Sequence, residues 1–356
     1  MIQLRSCKKL TIRAPGKINL HLAVKEKRPD GFHNLESIFA ALDFSDTLIF
    51  FPQRGNTGRI RLRMKAAGPF WELSRRRGQV FDDISPEKNL VYRAMELFSR
   101  KTGYRNNTAV RIIKHIPPGS GLGGGSSNAA AALIAMNTLA ASGEKTGPRP
   151  PGNFEGRLSP KELGDLGAEL GSDVPFFVET GFAGNGSGGA AAAGGAAAAD
   201  GTAAAWVSGR GERVQTLPPL PLLGILLAFP GFGSHTGYAY GLLDRLRVDP
   251  PRAAPPRNLP PRGKWPSPGA WNFSNDFLSL FLNHGTDRER TSYRTILGDL
   301  KQAGAVFTGL SGSGSTCFAV FNTPEDAAAA KNRLRKAPYA LQATFFLASG
   351  IKQGVQ

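Results

Sequence analysis

Cysteine is nearly absent from this sequence. Only Cys7 and Cys317 occur in 356 residues, which excludes a disulfide framework, and their separation fits no metal-ligand spacing. A reducing compartment is expected. No apolar run approaches the roughly 18 to 20 residues needed to span a bilayer, and Met1 to Leu10 lacks the apolar core of a secretory signal, so a cytoplasmic protein with no membrane contact is expected. Acidic residues are also scarce, 27 against 44 Lys and Arg, for a net charge of +17. Such a balance can mark a nucleic-acid binder. Here the basic residues are scattered: "RIRLRMK" (Arg59 to Lys65) alternates them with Ile60, Leu62 and Met64 as on a half-buried strand, "RRR" covers Arg75 to Arg77, and more fall in a proline-rich tract. Without aromatic interleaving or a zinc pattern, nucleic acid is not expected as a partner, and the charge reads as a solvated surface suited to anionic ligands.

One further absence is a lysine. The string "PPGSGLGGGSSNAAAAL" begins at Pro117 and packs five glycines and three serines into Gly119 to Asn128. The strand-like "AVRII" (Ala109 to Ile113) precedes it, and Asn128 to Leu139 reads as a helix. Strand, glycine loop and helix form an anion-binding arrangement, because glycine lets backbone amides approach a ligand and a helix N-terminus attracts negative charge. A Walker A loop would end in Gly-Lys-Ser/Thr and a dinucleotide loop would keep Gly-x-Gly-x-x-Gly. Neither fits, so any lysine that helps with phosphate comes from elsewhere in the chain.

Around this loop the chain alternates strands and helices. "LTIRAPGKINLHLAV" and "LESIFAALDFSDTLIF" read as strands joined by the turn "RPDGFHN", and a helix is expected at Asn89 to Thr102. "LSPKELGDLGAEL" carries its own start signal, with Ser159 as N-cap, Pro160 at the first helical position, Glu162 closing a capping box and Gly171 ending the helix. Residues Ala183 to Ala205 are Ala or Gly at 19 of 23 positions; too poor in side chain to offset ordering entropy, they read as a flexible insertion between two strands. Pro250 to Pro268 holds eight prolines and reads as a solvated excursion. The C-terminal order, helix "TSYRTILGDLKQA", strand "AVFT", loop "GLSGSGS", strand "TCFAVF", helix "PEDAAAAKNRLRKA" and strand "ATFFLA", suits a ferredoxin-like unit. The expected fold is α+β with two domains, 1–220 and 221–356.

Three separated segments carry the chemistry. "APGKINL" places Lys17 and Asn19 on one face of a strand, since side chains two apart point the same way. "GSDVPFF" places Asp173 just after a helix, and "SGSGS" (Ser311 to Ser315) supplies further backbone donors between two strands.

In order and wording these segments, with "RPDGFHN" and "NLVYRA", resemble the motifs of the GHMP kinases, a family of small-molecule kinases whose nucleotide loop lacks the Walker lysine. The resemblance implies an ATP-dependent kinase with an N-terminal nucleotide-binding domain, a ferredoxin-like C-terminal domain and Mg²⁺ as cofactor. It makes Asp173 the catalytic base on a substrate hydroxyl and Lys17 its paired cation, and gives Pro118, Gly119, Ser120, Gly121, Leu122, Gly123, Gly124, Gly125, Ser126 and Ser127 to the phosphates. Ser126 and Ser127 are its candidate hydroxyl contacts to the metal, while Asn89 and Lys114 fall where the adenine pocket is lined. Asn19, Gly312 and Ser313 would touch the substrate. Phe32 and His33 look like a clamp for a cytidyl diphosphate substrate, with Tyr240 as the facing aromatic. Two alternatives stay open: a kinase of this family for another small alcohol of the homoserine or mevalonate type, and a basic RNA-binding protein on a kinase-like scaffold.

Overall fold

The computed structural model describes residues 9–53, 57–76, 85–105, 107–141, 157–183, 204–246, 265–347 and 352–355. In chain order the regular elements are β1 (Leu10–Lys27), β2 (His33–Gln53), β3 (Ile60–Ala66), α1 (Pro69–Arg76), α2 (Leu90–Thr102), β4 (Asn107–Lys114), α3 (Gly124–Ala141), α4 (Pro160–Leu170), α5 (Val174–Ala183), β5 (Ala204–Gly209), β6 (Arg213–Thr216), β7 (Gly224–Phe229), α6 (Thr236–Leu246), α7 (Asp276–His284), α8 (Asp287–Gln302), β8 (Phe307–Leu310), β9 (Cys317–Phe321), α9 (Pro324–Arg333), β10 (Ala340–Phe345) and β11 (Lys352–Val355).

Two sheets organise them. The first runs β11-β1-β2-β4-β3, with β5 on the early half of β2 and β6 beside β5. Its alternate residues Leu10, Ile12, Leu48, Phe50, Val110 and Ile112 are buried in one core with α2, α3, α4 and α5. Helix α3 has no polar face to show: almost every residue from Ser127 to Leu139 is buried, the pattern of a helix enclosed on all sides. The second sheet is antiparallel throughout in the order β10-β7-β9-β8. With α8 and α9 against it, its β-α-β-β-α-β order is the expected ferredoxin-like unit. A second core joins the sheets, where Ile18, Leu20 and Ile38 meet Ile225, Leu227, Phe229 and Phe318.

Four expectations change. Helix α3 begins at Gly124 rather than Asn128, so part of the glycine string is already helical. The Ala/Gly-rich stretch lies between helix α5 and strand β5, not between two strands; Ala204 and Ala205 belong to β5 and are buried, and 184–203 lie outside the described residues. Of the proline-rich tract, 250–264 also lie outside them, but its end is packed rather than solvated: Trp265 is buried, stands 6.2 Å from Trp271 and donates its indole N–H to Pro218 O at 2.8 Å. Finally, 221–356 is not closed on itself, because β11 pairs antiparallel with Leu10–Arg13 of β1.

Candidate active site

The glycine loop between β4 and α3 takes its shape from backbone bonds. Lys17 N–H donates to Leu122 O at 2.9 Å, tying the loop to β1. Gly119 O accepts from Ser234 N at 2.9 Å and Ser315 N at 3.3 Å, and Ser311 Oγ donates to Gly121 O at 2.9 Å. The two glycine loops are therefore one structure. Gly121 is the tightest point: its φ is +76° and an added Cβ would stand 2.0 Å from Ser311 O, so no side chain fits. Past it, the first-turn amides of α3 have no intrahelical acceptor and point their positive dipole end at the cleft.

That cleft encloses about 510 Å³. Of the residues expected from the sequence, Lys17, Asn19, Lys114, Pro118, Gly119, Ser120, Gly121, Gly123, Gly124, Gly125, Ser126, Asp173, Tyr240, Gly312 and Ser313 line it. A second cleft of about 490 Å³ between β3 and α2 is lined by Arg93, Arg100, Glu96 and neighbours, and has neither glycine loop.

At the floor, Lys17 Nζ is buried 3.5 Å from Asp173 Oδ2 and donates to Asn19 Oδ1 at 2.7 Å. Asn19 Nδ2 in turn donates to Ser37 Oγ at 2.8 Å, so both strand side chains are held in place. Burial pulls the Lys17 pKa below the ordinary lysine value, and the facing Asp173 carboxylate opposes that shift. Asp173 sits in the turn between α4 and α5, with a side chain 29% exposed that is open to the cleft. Burial, then the Asp173 charge, raises the Tyr240 phenol to about 12 and keeps it a hydrogen-bond donor.

Five expected residues stand elsewhere. Leu122 is fully buried in the core between the sheets, and its contribution to the loop is its carbonyl. Ser127 Oγ is sealed beneath the loop with no partner, so it cannot reach a metal in the cleft. Asn89 caps α2, accepting from Val91 N at 2.9 Å, and does not line the cleft. Phe32 is half exposed, with the Arg210 guanidinium 5.3 Å from its ring centroid. Tyr240 does not face it. Its ring stacks on His33 at 5.0 Å, because Asp244, one turn further along α6, takes His33 Nε2 at 2.7 Å and draws the imidazole onto that helix.

Sequence profiles of the GHMP kinases match this chain twice, the N terminal domain over residues 89–181 and the C terminal domain over 261–340. A curated protein of Treponema pallidum, "4-diphosphocytidyl-2-C-methyl-D-erythritol kinase", is 31% identical over 338 residues, 92% of this chain and 95% of the relative. The chain is a GHMP kinase. A relative of the same name from Pelotomaculum thermopropionicum is 32% identical over 92% of this chain and 94% of its own length. Among solved structures, a 4-(cytidine 5'-diphospho)-2C-methyl-D-erythritol kinase matches with a TM-score of 0.63 at 26% identity, covering 95% of this chain and 99% of that one. The Methanococcus jannaschii mevalonate kinase, at TM-score 0.55 and 11% identity, shares the fold.

In this GHMP kinase the residue most easily overlooked is Asp46. Fully buried in β2, its carboxylate accepts from His115 N at 2.7 Å, Ile116 N at 2.8 Å and Asn128 Nδ2 at 3.0 Å, and pairs with the Lys114 ammonium. It thus gathers the end of β4, the start of the loop and α3. The signal was a lone acid inside the strand run "FSDTLIF", since a fully buried carboxylate is almost always paired.

Proposed function

We propose that this chain transfers the γ-phosphoryl group of ATP to the 2-hydroxyl of 4-diphosphocytidyl-2-C-methyl-D-erythritol, a step of non-mevalonate isoprenoid precursor synthesis, in the cytoplasm. The observation that carries the chemistry is the buried Lys17 beside Asp173 at the foot of the glycine cradle. The full-length relatives of that printed name support the substrate. Among the described residues, no helix is long and apolar enough to cross a membrane.

Phosphoryl transfer asks a protein mainly for positioning and charge neutralisation. The amides of Gly123 to Ser126 and the dipole of α3 hold the polyphosphate, and Lys114 adds charge at the cleft wall. Asp173 accepts the proton of the attacking hydroxyl. Lys17 keeps that carboxylate ionised and neutralises charge growing on the transferred group, while Asn19 fixes the direction of the ammonium. Gly312, Ser313 and Tyr240 hold the substrate opposite.

The donor set fits Mg²⁺, which needs only one or two protein oxygens when phosphates and waters complete its octahedron: Ser126 and Asp173 offer hard oxygens in the cleft, and the described residues hold no acidic or His cluster that would suit a softer or more heavily protein-bound ion. When bound it would supply charge neutralisation for the transferring phosphoryl group. A division near residue 220, with β11 returned to the first domain, belongs to the same reading.

The deciding experiment is ADP release measured with the cytidyl substrate, homoserine and mevalonate in parallel. Turnover with the cytidyl substrate alone is expected; preference for either of the others overturns the substrate assignment.

A further inference from the structure

Basic residues that are dispersed along the chain are gathered by the first sheet. Its helix-free face is ordered by strand register. Phe51, Ala109 and Arg61 form one row; Thr11, Ile49, Arg111 and Arg63 the next; Arg13, Thr47, Ile113 and Lys65 the third. Arg13, Arg61, Arg63, Lys65 and Arg111 are exposed, and the residues between them are half-buried. Arg13 pairs with Asp43 at 3.1 Å, whereas among the described residues the other four cations have no carboxylate partner. The Arg111 guanidinium lies 5.9 Å from the centroid of the Phe51 ring.

Cations two apart on a strand stand about 6.6 Å from each other and neighbours across strands about 4.8 Å, so all four lie within about two Debye lengths at physiological salt. Such a field is complementary to a polyanion. An aromatic and two isoleucines among the cations, half-buried in the sheet, add flat apolar surface on which exposed bases can stack. We propose that this face binds single-stranded nucleic acid, with Arg61, Arg63, Lys65 and Arg111 on phosphates and Phe51 as the stacking platform. The site is separate from the kinase cleft, since none of these residues lines it.

The test uses the full chain and a fluorescent oligouridylate in an anisotropy titration at several salt concentrations. Arg61→Gln/Arg63→Gln/Lys65→Gln is expected to weaken binding at least about tenfold and to make the log K against log salt slope shallower by about 2, at about 0.7 per phosphate contact. Phe51→Ala is expected to weaken it about tenfold with the slope unchanged; Phe51→Leu, which keeps apolar volume in the sheet, should give the same loss if stacking is the cause. Kinase turnover should be unaltered in the triple variant. The proposal is overturned if the triple variant binds as the parent does, if a duplex of equal length binds as tightly as the single strand, or if phosphatidylserine vesicles bind to this face and the oligouridylate does not.

Discussion

Lys17 and Asp173 are paired at 3.5 Å, and in the proposed mechanism they act on each other as well as on the substrate, which predicts how their variants combine. Asp173→Asn keeps the size and removes the base, so kcat should fall by about 10² to 10⁴ with little change in the KM for ATP. Lys17→Met should behave likewise, and the double variant should cost far less than the product of the two, because part of the lysine's effect is exerted through the aspartate. Steady-state kinetics on the three proteins read this directly; multiplicative losses would show independent roles. The burial of Lys17 adds a pH dependence. A lysine whose pKa is lowered loses its proton at a lower pH than 10.5, so kcat/KM should fall on the alkaline side before an ordinary lysine titrates. A profile flat through pH 10.5 would contradict this. Asp46 belongs to the nucleotide side. All four of its partners are donors, two on each carboxylate oxygen, and in Asp46→Asn the amide N–H₂ faces two of them, so the KM for ATP should rise at least about tenfold, a conversion of about 1.4 kcal/mol out of the roughly 1–3 expected for an unmatched buried group, while the KM for the cytidyl substrate stays put.

At the scale of elements, the two glycine loops form one interlocked unit, and substitutions should separate by position within it. Gly121→Ala places a methyl group against the Ser311 and Gly314 carbonyls at a positive φ, and should lower the melting temperature sharply; Gly125→Ala, whose methyl meets only Leu90 Cδ1 at 3.4 Å, should melt close to the parent. Thermal melts of both variants check it. Elements governed by neighbours in sequence were legible in advance. The Ser159–Glu162 capping box forms as written, and Asn107–Lys114, the loop and α3 follow in the expected order. Features that depend on distant partners were not. The early start of α3 at Gly124 runs against glycine's poor helix propensity and depends on packing against Ile116 and Lys114. The Tyr240–His33 stack needs Asp244 on α6, and the work of Asp46 needs acceptor and donors 68 to 82 residues apart. The register of β3 against β4 likewise turns a scattered charge into a surface.

Across the whole molecule, a short segment fastens the second sheet to the first. Asn275 is buried; its amide donates to Leu310 O at 2.7 Å and Gly312 O at 2.9 Å, its carbonyl caps α7, and its neighbour Asp276 accepts from Val24 N on β1 at 2.9 Å. Asn275→Ala strips donors from two carbonyls at a cost of about 1–3 kcal/mol each, and calorimetry should show a melting temperature lower by about 2–4 °C per kcal/mol. The KM for the cytidyl substrate should rise with it, since Gly312 loses its anchor.

The pairing of β11 with β1 also sets an order of events during synthesis. Leu10–Arg13 leaves the ribosome well before Lys352–Val355, yet one edge of it waits for that later segment. Until then that edge carries unpaired N–H and C=O groups, open to any extended chain nearby. A chain halted before Lys352 should therefore associate with its copies through this edge, and should give a lower yield of soluble protein than the chain that carries Lys352–Val355.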